Sequence, residues 1–174
     1  MAYFRVKNIK NKKGKIYPYA YLVENKWKGN KKKGKGARQK VKAYLGRVYA
    51  YNIADDADFF SFHQIDDINE YIKNREMRGI IRDLIEWEFS RHNVDSVFFN
   101  RDNLKINYKT KDVAIKMNEG YLCNYTLSKL INFKIRDGEE VGFELAKTFV
   151  DAGLDVPKEL FIKLFEKITN DMNY

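Results

Sequence analysis

The chain of 174 residues is long enough for one medium domain or for a small domain joined to a larger one, and its 44% hydrophobic and 33% charged residues are typical of a folded chain, which excludes a wholly disordered one. No run approaches the roughly 18 apolar residues of a membrane span, and the N-terminus lacks the apolar segment of a signal peptide. The single cysteine, Cys123, excludes an internal disulfide, so we expect a reducing, cytoplasmic environment.

The net charge of +9 is divided unevenly along the chain. Residues 1–50 contain sixteen Lys and Arg but a single acid, Glu24, whereas the remaining residues are net acidic. Clustered positive charge indicates an anionic partner for the first segment. We therefore predict a basic β module at residues 1–50, an acidic linker at 51–58 and an α+β unit at 59–174.

Three alternating runs in the first fifty residues predict β-strands. They read YFRVKNI, IYPYAYLVENKWK and RQKVKAYLGRVYAY, and short loops that contain glycine separate them. Short connections between consecutive strands favour a three-stranded antiparallel sheet. Pro18 indicates an edge position or a bulge in the second strand, because proline cannot donate a ladder hydrogen bond.

Strict alternation sorts these strands into two faces, because successive side chains of a strand point to opposite sides. The aliphatic face would contain Phe4, Val6, Ile16, Ala20, Leu22, Val41, Ala43 and Leu45. The other face would interleave tyrosines with cations, and we predict that it contacts nucleic acid. Its predicted contact residues are Arg5, Lys7, Tyr17, Tyr19, Tyr21, Arg38, Lys40, Lys42 and Tyr44, with loop residues Lys31, Lys32 and Lys33 as secondary phosphate contacts.

The chemistry of this face explains the prediction. Lysine and arginine neutralise phosphates and release condensed counterions, and tyrosines between them can stack on unpaired bases. A β-ribbon also fits the major groove of duplex DNA. The pattern fits DNA and RNA equally.

Residues 59–174 alternate between helix and strand patterns. Amphipathic spacing predicts helices at 64–74, 75–93, 118–134, 138–155 and 156–168, and short apolar runs predict strands at 96–100, 104–109 and 112–117. We expect this unit to be mostly helical at its end and to act in docking or dimerisation.

Patterns for catalysis or cofactor binding are sparse. Two histidines and one cysteine cannot supply the four ligands of a zinc site, and the chain has no P-loop or GxGxxG motif, so we predict no metal, cofactor or catalytic residue. Two alternatives stay open. One is a protein-interaction adaptor of a ribosomal or chromatin assembly. The other is a metal-dependent nuclease or recombination accessory protein that uses Asp55, Asp56, Asp58, Asp66 and Asp67.

The segment YPYAYLVENKWKGNKKKGKGARQKVKAYLGR resembles a short β module that precedes some transposase-like proteins and occurs in small archaeal proteins of unassigned function. The matching residues are Tyr19, Tyr21, Leu22, Val23, Glu24, Arg38, Gln39, Lys40, Tyr44, Leu45 and Gly46. The module is also similar to the three-stranded arm-binding domains of tyrosine recombinases. The resemblance covers residues 3–47 and implies a nucleic-acid contact module, but the chain lacks the catalytic residues of both enzyme families.

Overall fold

The first three strands form an antiparallel sheet in the computed structural model, which describes residues 2–28, 36–134 and 140–170. They are β1 (Ala2–Lys10), β2 (Ile16–Lys28) and β3 (Gly36–Ala50), and each pairs antiparallel with the next. The predicted three-stranded sheet is therefore confirmed. Local alternation was sufficient to predict it because hairpin-connected strands pair with their neighbours in sequence.

Four shorter strands extend the same sheet. They are β4 (Phe99–Asn100), β5 (Lys105–Tyr108), β6 (Lys111–Met117) and β7 (Gly120–Leu122). The strand order is β1-β2-β3-β6-β5-β4, and β7 pairs with β6. Residues 47–50 of β3 pair in parallel with residues 113–116 of β6, so strands from both halves of the chain form one sheet. The C-terminal part is a mixture of strands and helices that ends in helices, as expected, but it is not clearly mostly helical as a whole.

Six helices follow the basic strands in the described parts of the chain. They are α1 (Phe59–Phe62), α2 (Ile68–Asn74), α3 (Met77–Arg91), α4 (Asn124–Ile131), α5 (Val141–Asp151) and α6 (Lys158–Asn170). The helix predicted at 118–134 begins later because β7, which the apolar pattern concealed, pairs with β6. Of the helices described, none is long and apolar enough to span a bilayer.

Two apolar clusters lie on opposite sides of the sheet. The main core joins the helices to Val113 and Ile115 of β6. The small core contains Ala20, Leu22, Leu45, Val48, Ala114 and Cys123. The alternation of Val113, Ala114 and Ile115 between the two clusters is what strand geometry requires. Arg47 of β3 pairs with Val113 of β6, and paired residues point to the same side of the sheet. Arg47 and the β3 residues that point the same way therefore lie on the side that carries the main core.

Two β-bulges in β3 change the facing of its residues. The first leaves Leu45 without a partner in β2, and the second leaves Lys42 without one. An extra residue in one strand reverses the side to which the following side chains point. Strict alternation therefore fails twice within residues 38–47, and this failure decides which cations accompany the tyrosines.

Candidate nucleic-acid interface

The register of β1, β2 and β3 places six of the predicted contact residues on one face. Cross-strand partners share a face in an antiparallel pair. The pairs are Arg5 with Tyr21, Lys7 with Tyr19, Ile9 with Tyr17, Tyr21 with Tyr44, and Tyr19 with Arg47. We call this surface the tyrosine face, and it consists of Arg5, Lys7, Tyr17, Tyr19, Tyr21, Tyr44 and Arg47.

Three tyrosine rings of this face form a contiguous group. The Tyr44 ring centroid lies 5.5 Å from that of Tyr21 and 6.1 Å from that of Tyr19, and Tyr44 is 54% exposed. Partial burial raises the pKa of Tyr44 above its usual value, and the neighbouring Tyr19 and Tyr21 add to this effect. The Tyr44 hydroxyl therefore remains protonated at neutral pH and can donate a hydrogen bond.

Cations lie against the tyrosine rings. Lys7 Nζ is 5.1 Å from the Tyr21 centroid, and the Arg47 guanidinium carbon is 4.2 Å from the Tyr17 centroid. Each pair is within cation–π distance. The prediction omitted Arg47, because uninterrupted alternation from Tyr44 assigns residue 47 to the aliphatic face. The bulge at Leu45 moves it to the tyrosine face.

The cations of the tyrosine face have no carboxylate within ion-pair distance among the described residues. Arg5, Lys7 and Arg47 form no ion pair with any carboxylate in the described portion of the chain. Arg5 Nη1 instead donates to Gln39 Oε1, and Gln39 Nε2 contacts the Tyr3 hydroxyl at 2.6 Å. The hydrogen bond to Gln39 orients the Arg5 side chain. Because Gln39 is neutral, it leaves the positive charge of Arg5 available to an external anion.

Arg38, Lys40 and Lys42 do not share the tyrosine face, so the prediction that they lie beside the tyrosines is wrong. Arg38 pairs with Lys26, and Lys40 pairs with Glu24, on the face that includes Leu22. The bulge at Lys42 causes the reversal. It also brings Val41, which was predicted on the aliphatic face, to the tyrosine side of the sheet.

The opposite face of the β2–β3 hairpin differs in its electrostatics. Lys42 Nζ lies 3.4 Å from Glu24 Oε2, and Lys26 Nζ lies 3.8 Å from the same oxygen. The contact with Lys42, followed by the charges of Lys42 and Lys26, lowers the pKa of Glu24 below its usual value. Glu24 therefore offsets part of the positive charge on this side. The predicted loop contacts Lys31, Lys32 and Lys33 lie outside the described residues.

Aromatic side chains continue from the tyrosine face toward β5. The Arg47 guanidinium carbon lies 4.9 Å from the Tyr49 centroid, and the Tyr49 ring lies 6.1 Å from that of Tyr108. Lys109 Nζ is 5.7 Å from the Tyr108 ring. The prediction confined the contact surface to residues 1–50 and missed this continuation, because the pairing of β3 with β6 depends on a contact between distant segments.

Three of the five carboxylates of the nuclease alternative have structural partners. Asp58 accepts from the Ser61 amide at the start of α1, and Asp67 accepts from the Asn69 amide at the start of α2. Asp56 Oδ1 lies 3.6 Å from Arg91. The residues with described positions contain no group of three or more His, Cys, Asp or Glu side chains arranged to hold a metal ion.

The only cysteine is remote from the surface. Cys123 is fully buried at the N-terminal end of α4.

Comparison of the chain with protein families, curated proteins and solved structures finds no match. A functional assignment therefore rests on the geometry of the tyrosine face.

Proposed function

We propose that this protein binds nucleic acid through the tyrosine face. The supporting observation is that Arg5, Lys7 and Arg47 have no acidic partner among the described residues, although they lie beside a group of tyrosines of which Tyr44 is exposed and the others are half-buried. Such cations can each displace a condensed counterion from a phosphate. The tyrosine rings supply apolar surfaces beside them, on which a base or a sugar can lie.

The two faces of the β1–β2–β3 sheet allow a matched test of this proposal. Changing Arg5, Lys7 and Arg47 to glutamine removes three cations from the tyrosine face, and changing Lys26, Arg38 and Lys40 removes three from the opposite face. Fluorescence anisotropy with labelled oligonucleotides, over a series of salt concentrations, measures affinity and its salt dependence. For the first triple variant we expect the slope of log K against log salt to become shallower by about 2 on a single strand. The second should change the slope much less.

Two outcomes would contradict the proposal. Equal loss of slope in both triple variants would show that net charge, and not this face, determines binding. Absence of binding by the unmodified protein to any oligonucleotide at physiological salt would favour the adaptor alternative, in which the basic sheet contacts an acidic protein. Thermal unfolding of each variant would establish that the fold is retained.

The variant Glu24→Gln provides an independent prediction. Glu24 is the only acid in residues 1–50, and it contacts Lys26 and Lys42 on the face away from the tyrosines. Its removal should change oligonucleotide affinity by less than about twofold, because the freed lysines do not face the ligand. Binding measured at low salt checks this, since that is where added charge has its greatest effect. A large gain in affinity would assign the hairpin's other face to the interface.

A further inference from the structure

We propose that the ligand is a single-stranded polynucleotide whose path crosses the strands from Tyr21 to Tyr108. This inference rests on the proposed function and specifies its substrate. It also extends the interface beyond residues 1–50 to β5, so that both halves of the chain contribute to one site.

Contacts between neighbouring side chains trace this path. On the first part, the rings of Tyr21, Tyr44 and Tyr19 are successive neighbours. In the middle, Arg47 pairs with Tyr19 across the strands and lies against Tyr49. At the far end of the path, the Tyr49 ring is adjacent to that of Tyr108, and Lys109 lies beside Tyr108. Three strand spacings separate β2 from β5, so the path is about 14 Å long in the plane of the sheet.

The alternation of rings and cations along this path matches the chemistry of an unpaired strand. A cation lies beside a tyrosine ring of the path at three places, which are Lys7 at Tyr21, Arg47 at Tyr49, and Lys109 at Tyr108. A single strand likewise presents a base and a phosphate in every nucleotide. Stacking on aromatic side chains is tolerant of sequence, because every base has a π face.

A double-stranded nucleic acid could not stack its bases on the tyrosine rings of this path. Its base faces are occupied by stacking within the helix, so it presents only base edges and phosphates to a protein. Exposed ring surfaces such as that of Tyr44 would gain no partner there. Duplex binding would instead favour insertion of the β2–β3 hairpin into a groove, in which Arg38 and Lys40 would be the important cations.

Two tyrosines allow a direct test, Tyr44 in the first part of the path and Tyr108 at its far end. We expect Tyr44→Leu and Tyr108→Leu each to weaken binding of dT12 or rU12 by about 5- to 150-fold, with little change in the salt slope, because a stacking surface is lost and no charge is removed. The corresponding Tyr→Phe variants keep the ring and should bind within about twofold of the unmodified protein. Binding of a 12-base-pair duplex should be weaker than that of either single strand and insensitive to Tyr108→Leu.

Tyr125 provides the matched control variant. Its ring also has a nearby lysine, with Lys129 Nζ at 4.8 Å, but it packs against the small core on the opposite side of the sheet. Tyr125→Leu should leave binding unchanged. If Tyr108→Leu unfolds the protein, Lys109→Gln tests the same end of the path, and we expect it to make the single-strand slope shallower by about 0.7.

The outcomes separate this inference from the proposed function. Tight duplex binding that is unaffected by the tyrosine variants would overturn the single-strand inference while nucleic-acid binding itself remained. Loss of affinity at Tyr44 but not at Tyr108 or Lys109 would overturn the extended path. Binding of neither strand type would overturn both proposals. Weaker binding of dT12 or rU12 by both leucine variants, with the phenylalanine variants intact, would support the inference.

Discussion

An alanine at Gly46 is expected to lower the free energy of unfolding by about 2–5 kcal/mol and to weaken oligonucleotide binding. A Cβ atom at this position would lie 2.3 Å from the backbone oxygen of Asp112, and the φ of Gly46 is +115°. Both the backbone conformation and the close approach of β6 therefore require glycine. Relief of the clash would displace β3 from β6 and move the adjacent Arg47 away from the rings that it contacts.

Urea denaturation measures the loss of stability, and Gly79→Ala provides the control. Gly79 lies in α3, and the nearest atom to its added Cβ would be Arg75 Cδ, 3.5 Å away in a flexible side chain. Because alanine favours the helical backbone more than glycine does, this change should stabilise the protein by about 0.5–1 kcal/mol. Similar stability changes at both glycines would refute the assigned role of Gly46.

Replacing Glu88 by alanine should lower the free energy of unfolding by about 3–5 kcal/mol. Glu88 is fully buried, and its Oε1 lies 3.3 Å from Arg91 Nη1 and accepts from the Asp155 amide at 2.8 Å. His92 Nδ1 lies 3.0 Å from Glu88 Oε2. Burial raises the pKa of Glu88, although Arg91 and the Asp155 amide favour its ionised form. Its removal would leave the buried Arg91 with only the more exposed Asp155 and Asp56 as acidic partners, and would take away the acceptor of the Asp155 amide in the segment that precedes α6.

The control for Glu88 is Glu86→Gln on the same helix. Glu86 pairs with Arg101, with Nε 2.6 Å from Oε1, but the Arg101 side chain is largely exposed. An exposed ion pair contributes less than about 1 kcal/mol, so this variant should unfold at nearly the same urea concentration as the unmodified protein. If the two changes lowered the free energy of unfolding equally, the burial of Glu88 would not be the reason for its contribution to stability.

Several features of the molecule follow from local pattern. Alternation predicts the strands around Tyr19 and Tyr21, and helical spacing predicts α3, α5 and α6 near their observed positions. Propensity and periodicity act over neighbouring residues, so a single chain contains the information they need. The shared face of Arg5, Lys7, Tyr19 and Tyr21 was also predictable, because β1 and β2 pair without a bulge.

The facing of the side chains in β3 could not be predicted from the sequence. Periodicity has no means of locating an unpaired residue, since a bulge is defined by the partner strand and not by the strand that contains it. The bulges at Leu45 and Lys42 therefore bring Arg47 onto the tyrosine face and remove Lys40 from it. The alternation of residue types along β3 gives no sign of this change. A glycine at position 46 is the one sequence feature that could have indicated an irregular backbone there.

The amino-acid sequence by itself determined that a basic, tyrosine-rich sheet occupies the first fifty residues, because composition and alternation are local properties. Only the tertiary structure decided which cations accompany the tyrosines and that the aromatic row continues to Tyr108. Both depend on pairing between segments far apart in the chain, where backbone hydrogen bonds and the close packing of Gly46 against β6 select one register.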